Sequence, residues 1–278
     1  MSIRKVAIIG TGTMGTALGR GMIREGVVSA AQVCGTVKHE REAQDVRERV
    51  DFAIGVDNAA AAEGADVILL CTKPKQAAEV VAKLAKQGAL AHAPLLVSIA
   101  AGVSTAALEE AAGAQPLRVV RAMPNTPCLI GHGMVVLSRG YHASDADLDL
   151  ATTMFQPLAR VTRLDEEHMN AVTGLSGSGP AFVYVIIEAL SEGGVMTGLP
   201  RKVATELAAQ TVTGAARMVL DTGRHPAALK DEVTTPAGCT ISALLSLEDG
   251  RLRSVLARAV QEAARTAAGL GAAPGDTK

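Results

Sequence analysis

Three glycines and a cluster of hydroxyls are the residues in this chain whose types and spacing suggest chemistry. Gly10, Gly12 and Gly15 form G-x-G-x-x-G directly after the apolar run Val6-Ala-Ile-Ile9, and an apolar-periodic segment follows through Ala17, Leu18, Met22 and Ile23. A strand, a tight turn and a helix fit this pattern. Gly10 permits the turn, Gly12 lets a pyrophosphate approach the backbone, and Gly15 lets the helix pack closely on the strand. The free amides and partial positive charge of the helix start would face the phosphates. Alone, the spacing also suits a glycine-rich turn in an unrelated fold. The hydroxyl cluster is Thr234-Thr-Pro-Ala-Gly-Cys-Thr240, just before the apolar stretch 241–247. Thr234, Thr235 and Thr240 supply hydroxyls, and the amides of Gly238, Cys239 and Thr240 are expected to be unsatisfied at a helix start. That combination traps a carboxylate, although Thr240 equally suits a plain N-cap.

The elements that must position these residues follow from hydropathy patterning. Residues 32–36, 66–71, 95–99 and 118–123 read as strands, with helical periodicity between them, as in Ala77, Val80, Val81 and Leu84. Two further short apolar runs, 134–137 and 160–161, bracket a helix over 144–155. Strands alternating with helices up to residue 163 predict a Rossmann-type doubly wound parallel sheet, an α/β fold. Ligands in such sheets bind beyond the carboxyl ends of the strands. Lys73, in Cys71-Thr-Lys-Pro74, is therefore placed to reach a cofactor, and Ala100-Ala-Gly102 offers small residues against which a flat ring can lie. Past Asp165 the alternation stops. Helical periodicity over 166–173, 181–196, 201–220, from 240 and over 251–270 predicts an all-helical domain. The expected division is thus 1–163 and 164–278, with the last few residues frayed.

Composition narrows the function classes. Lys plus Arg number 27 against 28 Asp plus Glu, and the absence of a basic run disfavours nucleic acid as a partner. Cys34, Cys71, Cys128 and Cys239 lie far apart without a C-x-x-C pair. Neither a metal site nor a disulfide framework is expected, and a reducing cytoplasm fits. The uncharged segment 171–187, within the longest run free of Asp, Glu, Lys, Arg and His, is interrupted by glycines, serines and a proline, so neither a signal peptide nor a membrane span is read. Aromatics make up only 2% of the chain. A core of small aliphatic side chains buries little area per residue, which points to an additional, oligomeric interface. The second strand lacks the acid that an NAD site places about 20 residues past the last glycine. Thr36-Val-Lys38-His39-Glu40-Arg41 offers instead a hydroxyl and cations for a 2′-phosphate. NADPH is the expected cofactor and NADH the alternative, while the same run also suits a solvated loop opening a charged helix.

Taken together, these pieces resemble the pyrroline-5-carboxylate reductase family over essentially the whole chain. The matching stretches are Ile9-Gly-Thr-Gly-Thr-Met14, Thr72-Lys-Pro74, Ser98-Ile-Ala-Ala-Gly-Val103, Arg121-Ala-Met-Pro-Asn-Thr-Pro127, Thr173-Gly-Leu-Ser-Gly-Ser-Gly-Pro-Ala-Phe182 and 231–240 leading into Leu247-Glu248. The resemblance implies that Ile9, Gly10, Thr11, Gly12, Thr13 and Met14 hold the pyrophosphate, that Thr36 lies near the 2′-phosphate and that Asn58 contacts the adenosine side. Cys71, Thr72, Lys73, Pro74, Ile99, Ala100 and Ala101 would frame the nicotinamide half. Glu166, Asp231, Val233, Gly238, Cys239 and Thr240 would form the substrate pocket beside the Thr235 hydroxyl, with Thr240 as the catalytic residue hydrogen-bonded to the ring nitrogen. No metal is implied.

The implied reaction moves a hydride from NADPH to the C=N carbon of a cyclic imine carboxylate, giving L-proline. It needs positioning more than acid–base power, which agrees with six scattered histidines that match no catalytic pattern. The implied assembly is a homodimer through the helical domain, with rings of dimers among relatives. One departure lies at Ala237, where the family commonly carries glycine in S-P-G-G-x-T. It opens a rival reading as a reductase of a different cyclic imine acid, six-membered or a 2-carboxylate isomer. A rival from another class is a non-enzymatic NADP-binding redox sensor. A β-hydroxyacid dehydrogenase is disfavoured because its lysine has no counterpart between Lys86 and Lys202.

Overall fold

Eight strands, β1 (Val6–Ile9), β2 (Val33–Thr36), β3 (Ala53–Gly55), β4 (Val67–Leu70), β5 (Leu95–Ser98), β6 (Arg118–Pro124), β7 (Gly133–Arg139) and β8 (Ala159–Arg163), form one sheet in the order β3-β2-β1-β4-β5-β6-β7-β8. The structure is a computed structural model describing residues 3–271. The frayed end expected from the sequence lies outside the described residues. The chain divides into two units: residues up to Ser178 together with those from Gln261, and Gly179–Val260.

In the first unit, α1 (Thr13–Arg24), α2 (Glu40–Arg47), α3 (Asn58–Ala62), α4 (Pro74–Lys86), α5 (Thr105–Ala111) and α6 (Asp145–Phe155) alternate with the strands. They cover both faces of the sheet. Val6, Ile8, Val67 and Leu69 pack with Leu18 and Met22 of α1 and with Met154 and Phe155 of α6. Ala7, Ile9, Ile68 and Leu70 point the other way, onto Ala77, Val81 and Leu84 of α4 and Leu108 of α5. Burial on both faces explains why these strands read as unbroken apolar runs.

Two features depart from the expected sheet. β7 runs antiparallel to β6, and β8 returns parallel to β7. A parallel return needs a crossover of about a dozen residues or more, and the connection between Pro124 and Gly133 is too short for one. Its only element is a 3₁₀ turn, Thr126–Ile130. β3 escapes the sequence reading because it is a three-residue edge strand carrying one buried side chain, Ile54.

A short helix, α7 (Met169–Val172), leads into a π-helical turn, Thr173–Gly177. The second unit then begins with α8 (Gly179–Met196) and α9 (Arg201–Thr222), followed by α10 (Pro226–Glu232), α11 (Cys239–Asp249) and α12, whose span Leu252–Gly269 ends in the first unit. α8 and α9 form a helical hairpin. Gly198 turns the connection at φ +99°, and a Cβ on Gly194 would sit 3.0 Å from that of Ala204. Its core is slight. Within α8 and α9 only Ser191, Ala204 and Ala208 are buried, whereas Val185, Leu190, Met196, Leu207, Met218 and Leu220 are exposed. By length and composition the stretch Glu166–Met196 could cross a membrane, and in the single chain 11% of its most apolar window is buried.

Candidate active site

Backbone geometry after β1 builds an anion cradle. Gly10 takes φ +89°, and a Cβ there would lie 3.0 Å from the Thr72 amide nitrogen, so only glycine fits. The amides of Gly10 and Thr11 donate to the Thr36 carbonyl at 3.1 and 2.6 Å, and the Gly12 amide donates to the Gly10 carbonyl at 2.8 Å. Those three donors are committed to the turn. α1 starts at Thr13 without a side-chain cap, which leaves the amides of Thr13, Met14 and Gly15 without partners among the described residues. The position a Cβ would take on Gly12 has nothing within 4 Å, whereas one on Gly15 would stand 2.9 Å from the Gly10 oxygen. Open backbone at Gly12, three free donors and the positive end of α1 suit a pyrophosphate. Ile9 lies in the core and accepts the Cys71 amide at 2.8 Å. Thr11 is also turned inward, its hydroxyl donating to the Ile8 carbonyl at 3.3 Å.

At the end of β2, Thr36 is buried and its hydroxyl donates to the Asn58 side-chain oxygen at 2.7 Å. Asn58 opens α3, which Asp57 caps by accepting the amides of Ala59 and Ala60. Lys38, His39 and Arg41 are exposed beyond Thr36. The acid among them, Glu40, pairs with Arg47 at 2.7 Å, so the cations are not countered by it.

The carboxyl ends of β4 and β5 stand next in the sheet. Thr72 Oγ1 is the one buried side-chain polar atom that lacks a hydrogen-bond partner among the described residues. An orphan hydroxyl is costly unless a ligand satisfies it, and this one belongs to the residue whose amide crowds Gly10. Lys73 is exposed, with Pro74 at the first position of α4. Cys71 keeps partial exposure as a residue, but burial of its thiol pushes the pKa far above its usual range. It stays protonated and is no nucleophile. After β5, Ile99 and Ala101 are half-buried and Ala100 is buried, its amide donating to Ser98 Oγ at 3.3 Å. The expected cofactor residues thus gather along five adjacent strands, β3 to β5.

Glu166 has both carboxylate oxygens engaged in this unit. Oε1 accepts the Thr105 amide at 2.8 Å and Oε2 the Thr105 hydroxyl at 2.6 Å, while Arg121 donates to Oε1 at 3.2 Å. Arg121 is buried and also reaches Asn170 Oδ1 at 3.4 Å. Three of the carboxylate's four lone-pair sites are thus taken, and one on Oε2 is left. Asn125 bridges the π turn to β7, donating to the Ser176 carbonyl at 3.1 Å and accepting the Met134 amide at 2.9 Å. Sequence reasoning gave Arg121 and Asn125 no role. An arginine flanked by Val119, Val120, Ala122 and Met123 in β6 is the available signal, since a buried charge needs a partner.

The hydroxyl-rich loop belongs to the second unit. α11 begins at Cys239 with Gly238 as its N-cap, so Thr240 is the second helical residue and not the cap. The Gly238 amide is not free either: it donates to the Thr235 carbonyl at 3.0 Å. A Cβ on Gly238 would sit 2.4 Å from Thr235 Oγ1 and 3.0 Å from the Thr235 carbonyl oxygen, so a side chain there requires the hydroxyl to turn away. The first-turn amides of Cys239, Thr240 and Ile241 have no backbone partner among the described residues. Thr235, Cys239 and Val233 are exposed, Thr240 half-buried, and Asp231 pairs with Lys230. Ala237 adopts φ +54°, the left-handed region that favours glycine. No group of three or more metal-binding side chains occurs among the described residues.

Two family models match different stretches of the chain. Residues 166–270 match the family described as pyrroline-5-carboxylate reductase dimerisation, and residues 5–102 match that described as NADP oxidoreductase coenzyme F420-dependent. Pyrroline-5-carboxylate reductase of Arabidopsis thaliana is 39% identical over 94% of this chain and 93% of its own length. That of Methanosarcina acetivorans is 38% identical over 98% and 99%. Among solved structures, pyrroline carboxylate reductase of Plasmodium falciparum with NADP bound superposes with TM-score 0.88 at 28% identity, covering 98% of this chain and all of the other. The Coxiella burnetii pyrroline-5-carboxylate reductase gives 0.86 at 32% identity with the same coverage. A glycine turn with open donors, a hydroxyl-rich helix start and near-complete alignment with relatives from plant and archaeon lead to one assignment: the chain belongs to the pyrroline-5-carboxylate reductase family.

Proposed function

We propose that this protein reduces 1-pyrroline-5-carboxylate to L-proline with NADPH. The observation that carries the reading is identity near 40%, end to end, with relatives that bear that activity as their name. Bound NADPH would supply the hydride, which adds to the C=N carbon while the π pair becomes the nitrogen lone pair of proline. The chain's own tasks are to bind and to orient. We assign the pyrophosphate to the free amides of Thr13, Met14 and Gly15 beside Gly10 and Gly12, with Ile9 and Thr11 fixing the turn. Asn58, oriented by Thr36, and the exposed cations Lys38, His39 and Arg41 take the adenosine 2′-phosphate end. Cys71, Thr72, Lys73, Pro74, Ile99, Ala100 and Ala101 frame the nicotinamide, where the Thr72 hydroxyl gains a partner. The amides of Cys239 and Thr240 hold the substrate carboxylate. Thr240 Oγ1 orients the ring nitrogen and passes it a proton from water, a modest demand because a protonated imine is already electrophilic. Asp231, Val233, Thr235 and Gly238 complete the loop's wall, and Glu166 supports the site through Thr105.

In this reading residues 1–163 serve the cofactor and residues 164–278 serve assembly and substrate. The exposed apolar faces of α8 and α9 are covered by a second copy of the chain and not by lipid, giving a homodimer that rings of dimers can extend. Free cysteines at 34, 71, 128 and 239 suit a reducing cytoplasm. A second reading, reduction of a different cyclic imine acid, is favoured by the methyl group of Ala237 in the carboxylate loop. Loss of NADPH absorbance with pyrroline-5-carboxylate, its six-membered homologue and the 2-carboxylate isomer in parallel decides between them. Preference for pyrroline-5-carboxylate supports the first reading, preference for another imine the second. NADPH binding without turnover of any of the three rejects both in favour of a redox sensor.

A further inference from the structure

The loop between β5 and α5, residues 99–104, is gripped from two directions within the first unit. At its far end Glu166 holds Thr105 by both amide and hydroxyl. At its middle, the end of α12 presses on it backbone to backbone. Gly102 turns at φ +73°, and a Cβ there would come within 2.3 Å of the Ala267 carbonyl oxygen and 3.1 Å of Leu270 Cβ. Reciprocally, a Cβ on Gly271 would stand 2.3 Å from the Gly102 carbonyl oxygen and 2.8 Å from its carbonyl carbon. Ala267 is buried, and its carbonyl accepts the Leu270 amide at 3.1 Å, closing the helix against the loop. Neither glycine tolerates a side chain without displacing main chain.

We infer that the end of α12, residues 267–271, is a positioning element for the nicotinamide side of the cofactor site. Contact with Gly102 sets where Ile99, Ala100 and Ala101 stand. This rests on the proposed placement of the nicotinamide beside those residues. None of residues 267–271 touches the reacting atoms in this scheme. Their effect passes through the loop, and it should therefore fall on the rate of hydride transfer more than on cofactor affinity, which the pyrophosphate and adenosine contacts dominate.

The test uses the full-length chain with Gly271→Val and Gly271→Ala. Gly271→Val should lower kcat about 10-fold or more, within the range that a misplacement of about 1 Å produces. Its Kd for NADPH should change by less than about 3-fold, a split that marks lost transition-state positioning. Emission from bound NADPH, excited directly in its nicotinamide band, should shift in maximum or lifetime. Gly271→Ala should move kcat and emission in the same direction, less far. Unchanged kcat and emission in either folded variant overturn the inference. Amide exchange on the unaltered protein supplies a readout that needs no variant: NADPH should slow exchange in 99–104 and 267–271 together, and slowing confined to 99–104 counts against the coupling. An unaltered protein that fails to bind NADPH would sink the functional reading itself, whereas normal turnover with insensitive Gly271 variants sinks this inference alone.

Discussion

The Thr36 hydroxyl donates to the side-chain oxygen of Asn58 across 2.7 Å, joining the end of β2 to the first residue of α3. With its oxygen so occupied, Asn58 keeps its amide nitrogen for a ligand. Thr36→Val removes the donor while preserving shape. NADPH affinity should fall up to about 10-fold, the scale of one hydrogen bond, as measured by titration of NADPH fluorescence. Unchanged affinity would remove this pair from cofactor binding.

Two glycines of the same turn should separate folding from binding. Gly12→Val meets open space and should leave the melting temperature nearly unaltered while abolishing NADPH binding, because the branched side chain occupies the pyrophosphate position. Gly15→Ala drives a Cβ to 2.9 Å from a backbone oxygen and should destabilise by about 1–3 kcal/mol, the usual cost of overpacking. Denaturant melts and NADPH titrations on both variants check the contrast.

Thr240→Ala should lower turnover by about 10- to 1000-fold, the effect expected when a positioning or proton-transfer group is lost. NADPH affinity should hold. Steady-state kinetics beside a direct binding titration distinguish the two, and normal turnover would exclude Thr240 from the mechanism.

Glu166→Ala leaves buried Arg121 without its carboxylate. Breaking a buried pair costs about 3–5 kcal/mol, and because Glu166 keeps 27% of its side chain exposed a loss of roughly 2–4 kcal/mol is expected after screening. Urea unfolding measures it. A loss well under 1 kcal/mol would mean that Arg121 finds water or another acceptor.

Burial raises the thiol pKa of Cys34, Cys71 and Cys128 above the ordinary 9.0. Below that value all three are protonated whether the chain is folded or not, and stability is unaffected. Above it the unfolded chain releases protons that the folded chain retains, so stability falls as pH rises. Urea midpoints should therefore decline beyond about pH 9, less so in a variant with Cys71→Ala. At neutral pH a maleimide should label exposed Cys239 first and leave Cys71 unmodified.

The parts legible in the sequence were those in which local pattern and burial agree. The runs ending at Ile9, Leu70 and Ser98 are apolar because both sheet faces are covered, and the glycine spacing fixed the first turn. β3 was too short to register, and the reversal at β7 depended on the length of the connection after Pro124. Helix boundaries near 240 shifted because Gly238, held by Thr235, takes the cap. The inward turn of Thr11, the engagement of Glu166 with Thr105 and Arg121, and the seating of Gly271 on Gly102 are long-range contacts. A one-dimensional pattern carries no trace of them.

The thinness of the core within α8 and α9 extends the physics of the single chain to the population of chains. A helical hairpin held by two alanines and a serine gains its remaining burial only by mass action with another copy. Dilution should therefore inactivate and unfold together, and the melting temperature should climb with protein concentration. In a cell expressing two alleles, a copy damaged in the sheet but sound in its helices would still recruit an intact partner.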